Sequence, residues 1–284
     1  MGKRANSRWV LDFGLAMEHD SILRRVGTFG GAGWRRGSVM ALKSNQFTIA
    51  ARPEPIGFDV GTTAVVVVDM QNDFGHNDGM FGRAGIDLSG IQATITPTAH
   101  ALAAARTAGI KIVYLKMAFR DDLSDAGAPD APNWLKHLPM RAGERVTAPD
   151  GSASRILIRD TWNTDIIDAL APRDGDTIVY KHRFSGFFET ELDATLKAWG
   201  VHHLVFTGCT TSVCVESTMK DAMFRDYRCL LLEDCTAEAI GADLPRSNHD
   251  ASLLVIQLLV GWISDSASFT TALPLPTESV TSVT

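Results

Sequence analysis

The chain has 284 residues, 45% hydrophobic and 21% charged, the balance of a soluble globular protein with one large or two small domains. A net charge of −6 argues against nucleic acid or an acidic membrane surface as partner, and no apolar run is long enough to span a bilayer. The four cysteines, Cys209, Cys214, Cys229 and Cys235, lack paired C-x-x-C spacing; this excludes a zinc ribbon or disulfide scaffold and suits a reduced, cytoplasmic compartment.

Residues 1–40 mix Arg pairs, a Gly-rich patch and two tryptophans without a sustained apolar period. They lack the continuous apolar stretch and cleavage site of a secretory signal. The segment reads as a mobile extension outside the core, with Met40 as an alternative start, and residues 41–284 as one domain.

From Ala64 the pattern becomes regular. Residues 64–69 (AVVVVD) form a β-branched run expected of a strand buried on both faces of a parallel sheet. An Ala-rich helix over 96–108 stops at Gly109, and a second strand spans 110–115. The pattern then predicts a helix over 165–170, a strand over 177–181, a helix over 191–199 and a strand over 203–207. A helix over 214–225, a strand over 229–232, a helix over 249–259 and a short strand at Trp262-Ile263 complete it. Strands alternating with helices predict a single doubly wound α/β parallel sheet of about six strands, with helices on both faces. Residues 120–160 break this rhythm, as a lid, a pocket wall or a solvated surface insertion would.

Ligands of an open parallel sheet bind beyond the carboxyl ends of its strands. Asp69 ends the first strand, Lys181 ends the third, and Cys214 follows the fourth. A thiol at a helix N-terminus sits among unpaired N–H groups, which lower its pKa and can hold an oxyanion. A lone cysteine is more often core filling, so the reading of Cys214 as nucleophile needs partners. Lys181 can stabilise a thiolate, and Asp69 can take the thiol proton and later return it to a leaving amine.

Three segments carry a resemblance: VVVVDMQNDF (65–74), VYKHRFSGFF (179–188) and TGCTTSVCVESTMKDA (207–222). They resemble the isochorismatase-like cysteine hydrolase superfamily, over roughly residues 52–273. The resemblance implies Asp69, Lys181 and Cys214 as catalytic triad, a cis peptide before Thr210, and the N–H groups of Thr210 and Cys214 as oxyanion hole. It also implies a homo-oligomer, dimer or tetramer, that needs no cofactor. ARPEPIGFD (51–59), SGFFETELD (185–193), HLVFTG (203–208) and GWISD (261–265) are similar to the ureidoacrylate amidohydrolases. GIDLS (85–89) and LLLEDC (230–235) are similar to the biuret hydrolases. The implied substrate is a small ureido or carbamoyl amide, cleaved through a thioester. The alternatives are a bulkier hydrophobic amide, a biuret-type compound, or a non-catalytic binding or assembly role.

Nicotinamidases of the superfamily carry an Asp-x-His metal site after the second strand, where this chain reads Lys116-Met117-Ala118-Phe119. No metal is therefore expected. Ureidoacrylate enzymes present an amide side chain and a tryptophan in that stretch, so Met117 and Phe119 imply a more apolar pocket. True isochorismatases lack the cysteine, which argues against vinyl-ether cleavage. Gln71 and Asn72 are candidates for orienting the base or touching substrate, and Phe74, Trp134 and Phe184 for an apolar pocket. Arg183 is a candidate for a substrate carboxylate, with Lys116 a weaker one. His182, His202 and His203 lack ligand spacing and read as structural.

Overall fold

The computed structural model describes residues 45–241 and 244–274, and these belong to one unit, Lys43–Thr284. The expected extension at 1–40 and the alternative start at Met40 lie outside the described residues.

The described chain opens with an antiparallel hairpin of β1 (Gln46–Ile49) and β2 (Ile56–Asp59). β3 (Thr63–Val68) follows, then four helices: α1 (Asn72–Gly75), α2 (Met80–Arg83), α3 (Ser89–Ala93) and α4 (Ile95–Ala108). Next come β4 (Lys111–Met117), α5 (Pro132–His137), a small hairpin of β5 (Arg145–Thr147) and β6 (Ala153–Arg155), and β7 (Thr177–Lys181). The last third alternates α6 (Leu192–Ala198), β8 (His203–Cys209), α7 (Glu216–Met223), β9 (Arg228–Ala237), α8 (Asn248–Val255), β10 (Trp262–Ser264) and α9 (Ser266–Ala272).

Six strands pair in the order β10-β9-β8-β3-β4-β7, every neighbour parallel, which matches the expected sheet. The chain builds outward from β3 to β7, then returns to β8 on the other side of β3. The direction of winding reverses between β3 and β8, where a crevice opens at the strands' carboxyl ends.

β3 shows why the sequence settles in the centre. Val65 and Val67 join a core with Phe47, Phe58, Leu102 of α4 and Phe269 of α9. Ala64, Val66 and Val68 join the opposite core with Leu196 of α6 and Met219 of α7. Alternate side chains face opposite layers, so a continuous apolar run satisfies both. Val65 through Val68 are fully buried, and each contributes about 1.5–3 kcal/mol. α4 ends at Gly109, whose φ of 80° lies in the left-handed region that terminates helices.

Three differences from expectation have local causes. The helix expected over 165–170 is only one 3-10 turn, Asp168–Leu170. Six residues are too few for a self-sustaining helix. Ile166 instead bridges to Gln71, and Ile167 N–H donates to the Met70 carbonyl at 3.0 Å. The helix expected over 214–225 starts earlier, with a π turn at Thr211–Val215 running into α7. β9 runs five residues beyond the expected Leu232, carrying Thr236 and Ala237 against Gly208 and Cys209 of β8. No helix among the described residues is long and apolar enough to cross a membrane.

Candidate active site

Asp69 follows β3 directly, and its φ of 51° is uncommon for a residue with a side chain. That turn sends the chain out of the sheet and leaves the carboxylate at the mouth of the crevice. Oδ1 accepts the Met117 N–H from the end of β4 at 3.0 Å. Oδ2 lies 2.8 Å from Lys181 Nζ, as an ion contact rather than an aligned hydrogen bond. Lys181 is the last residue of β7; its ammonium also reaches Cys214 Sγ at 3.3 Å and the Arg183 carbonyl at 3.3 Å. The nearby Asp69 charge also bears on the Cys214 thiol, favouring its protonated form. Thus β3, β7 and the turn after β8 bring Asp69, Lys181 and Cys214 together.

All three groups are buried: Asp69 is 1% exposed, Lys181 0% and Cys214 6%. Burial pushes the Asp69 carboxyl above its ordinary pKa, while the Lys181 charge pulls it back. Burial works against the Lys181 ammonium too, but Asp69 and Cys214 outweigh it and its pKa stands above the usual lysine value. Cys214 departs from expectation. Burial drives its thiol well above the ordinary value, against the pull of Lys181, so a helix N-terminus does not yield a resting thiolate here. These shifts favour a protonated sulfur beside the Lys181–Asp69 ion contact.

The Cys209-Thr210 peptide is cis, at the position the resemblance implied. Thr210 precedes the π turn at the edge of a helical run, where the first N–H groups lack carbonyl partners within the helix. Gly208, just upstream, has φ 112°, and a Cβ there would meet the Val68 carbonyl at 2.0 Å. Only glycine lets β8 approach β3 this closely beside Asp69.

Cys214 opens onto a cavity of about 310 Å³. Its walls come from the end of β4, from the segments that follow β3, β7, β8 and β9, and from the 132–157 segment. Phe74, Met117 and Phe184 line it, together with Thr210, Val213 and Cys214. Phe81, Lys136, His137, Met140, Leu157 and Ile240 complete it, none of them among the expected contacts.

The other expected contacts are occupied elsewhere. The Gln71 amide is used at both ends by the Met117 backbone, at 2.7 and 3.1 Å, and so braces β4 beside Asp69. Asn72 donates to the Trp162 carbonyl at 2.8 Å. Phe119 is fully buried behind Trp134 and His137, whose rings meet it edge-on. Trp134 packs against the core there and does not reach the cavity wall. Arg183 folds back to donate to the Asp125 and His182 carbonyls, and stacks on Phe188. Lys116 pairs with Asp165 at 3.6 Å and lies over the Tyr180 ring.

Asp73 was also not foreseen as part of this region. Its buried carboxylate accepts the N–H groups of Met80 at 3.0 Å and Leu157 at 2.7 Å, and the Asn163 amide at 2.5 Å. It thereby ties together segments that carry Phe81 and Leu157 into the cavity. Burial raises its pKa to about 6, against those hydrogen bonds.

Residues 63–268 match the isochorismatase domain model. The chain belongs to the isochorismatase domain family. Within this family it is similar to a ureidoacrylate amidohydrolase of Methylobacterium radiotolerans, 41% identical over 81% of this chain and 86% of the relative. A ureidoacrylate amidohydrolase of Serratia proteamaculans is 39% identical over 81% and 90%. Among solved structures, a cysteine hydrolase from Pseudomonas syringae pv. phaseolicola superposes with a TM-score of 0.63 at 29% identity, covering 76% of this chain and 94% of its own. An N-carbamoylsarcosine amidase from Thermoplasma acidophilum gives 0.53 at 26% identity, covering 72% and 96%. The isochorismatase-family fold is thus shared with proteins named as a cysteine hydrolase and an amidase.

Proposed function

We propose that the protein is a cysteine amidohydrolase that cleaves a C–N bond of a small ureido or carbamoyl compound resembling ureidoacrylate. The observation that carries this reading is Lys181 Nζ, 2.8 Å from Asp69 Oδ2 and 3.3 Å from Cys214 Sγ beside a closed-in cavity. The identity of about 40% to ureidoacrylate amidohydrolases supports the substrate class.

Asp69 Oδ2 takes the thiol proton as Sγ attacks the carbonyl carbon, and Lys181 stabilises the sulfur anion while it exists. A carboxylate raised by burial is a stronger base than an exposed one, which favours this transfer. The oxyanion rests on the N–H groups of Thr210 and Cys214. Collapse breaks the C–N bond, and the departing nitrogen takes the proton from Asp69. Water then attacks the thioester, gives a proton to Asp69, and collapse returns that proton to Cys214 with release of carbamate or acid. The test is amine and ammonia release from a panel of ureido acids, biuret-like compounds and aryl amides. Hydrolysis of none of them sinks the reading.

No cofactor enters this scheme. Among the described residues no group of three His, Cys, Asp or Glu is gathered as a metal site. Turnover is expected to survive exhaustive EDTA treatment, and recovery of a lost activity by added zinc or manganese would contradict that. The reading carries with it a cytoplasmic homo-oligomer, a dimer or tetramer. The exposed apolar side chains Phe224, Leu258 and Leu259 are of the kind subunits cover.

The cavity walls favour a second reading on substrate size. Phe74, Phe81, Met117, Met140, Leu157, Phe184, Val213 and Ile240 surround the site with apolar surface. That suits a more hydrophobic carbamoyl or amide compound than ureidoacrylate. Because Met117 lines the cavity and Phe119 does not, Met117→Asn alone is expected to shift preference. The ratio of kcat/KM for ureidoacrylate over a hydrophobic amide should rise about tenfold, the value of one added hydrogen bond. An unchanged ratio would remove Met117 from substrate selection.

A further inference from the structure

We infer that His137 is the hydrogen-bond acceptor for the substrate's carbamoyl NH2 group, and so selects ureido compounds over simple N-acyl ones. The inference rests on the amidohydrolase reading above and assigns a role to a residue that reading leaves idle.

His137 is 2% exposed, yet it lines the same cavity as Cys214. Its Nδ1 lies 2.6 Å from the Asn133 carbonyl, one turn back on α5. A carbonyl only accepts, so Nδ1 carries the proton and Nε2 holds a lone pair on the far side of the ring. Nε2 has no hydrogen-bond partner among the described residues. Burial lowers the ring's pKa, the Asn133 bond opposes that, and the charges of Lys181 and Arg183 reinforce it. The ring is therefore neutral at physiological pH and remains an acceptor.

Its orientation is fixed from three sides. Phe119 meets it edge-on with centroids 5.4 Å apart, Phe184 lies 5.6 Å away at 37°, and Asn133 holds Nδ1. This gives Phe119 a purpose: it braces the histidine from behind rather than touching substrate. An acceptor held this firmly, with no partner among the described residues and on the wall of the cavity that holds Cys214, is free to take a donor from a substrate. A ureido substrate brings donors on both sides of its carbonyl. The N–H on the leaving side is the one Asp69 must protonate, which leaves the carbamoyl NH2 for His137. Lys136, the neighbouring cation on the wall, only donates and cannot take this role.

The experiment measures binding to the Cys214→Ser protein by calorimetry, with ureidoacrylate and its N-acetyl analogue, where CH3 replaces NH2. Adding His137→Phe should weaken ureidoacrylate binding about tenfold to a hundredfold, the usual range for one buried hydrogen bond, and change the analogue less than about twofold. His137→Gln, which keeps an acceptor oxygen, should retain part of the discrimination. Equal weakening of both compounds, no change in either, or failure of the Cys214→Ser protein to bind ureidoacrylate would overturn the assignment. Hydrolysis by the unaltered enzyme is followed in parallel. Selective loss of binding without any turnover would sink the hydrolase reading and leave His137 in place, whereas turnover with equal losses would sink His137 alone.

Discussion

Replacing Cys214 by serine is expected to lower kcat/KM about a thousandfold or more, roughly 4 kcal/mol of transition-state stabilisation, with the fold intact. Both side chains are small and differ by one atom, and Cys214 is packed among Lys181, Asp69 and Val213 without filling a large volume. The loss is chemical. Burial favours the protonated thiol, so attack depends on handing its proton to Asp69 as the bond forms. A serine hydroxyl is a far weaker acid than a thiol, and the single carboxylate has no imidazole to help it. The check is kcat/KM beside a thermal melt, for wild type and Cys214→Ser. Retention of a tenth of the activity, with an unchanged melt, would remove Cys214 from the mechanism.

The three clustered groups were legible because Asp69 and Lys181 each end an apolar run and Cys214 opens the helical run after another. Asp69 and Lys181 are polar residues at the ends of strands, Cys214 lies in the turn that follows one, and a buried ammonium needs a partner wherever the chain places it. The sheet was legible for the same reason, since Val65 to Val68 can only satisfy two cores at once. The cavity wall was not. Phe81, Met140, Leu157 and Ile240 lie on short helices and loops whose packing is set by distant partners, such as the Asp73 carboxylate that collects Met80 and Leu157. Gln71 and Arg183 looked available because a sequence lists donors without showing which backbone carbonyls and N–H groups absorb them. His137 sits in a segment without period, and its one signal was a histidine near Trp134 and Phe119 in an otherwise polar stretch. Its acceptor role depends on Asn133, four residues back, and that contact exists only because α5 forms.

Lys181→Met is expected to cost stability as well as activity, and the two losses can be separated. Methionine keeps the length of the side chain and removes the charge, leaving Asp69 as an unpaired buried carboxylate, at about 3–5 kcal/mol. The pH dependence follows from the direction of the Asp69 shift. Burial holds its folded pKa above the ordinary value, and Lys181 is the largest influence pulling it down, so the substitution raises it further. In the unfolded chain Asp69 titrates near its usual value of about 3.9. Below that pH both states bind the proton and this group carries no penalty. Above it the unfolded state ionises while the folded state holds the proton, so stability relative to wild type falls as pH rises from about 4 and levels off beyond the folded pKa. Adding Asp69→Asn removes the stranded charge and should restore most of the stability, while hydrolysis stays lost in both variants. Urea melts of wild type, Lys181→Met and the double variant between pH 4 and 8 decide the matter. A loss independent of pH, or a double variant no more stable than the single one, would show that Asp69 and Lys181 are not an interdependent buried pair. Recovered hydrolysis in the double variant would show instead that the pair stabilises the site without taking part in the reaction.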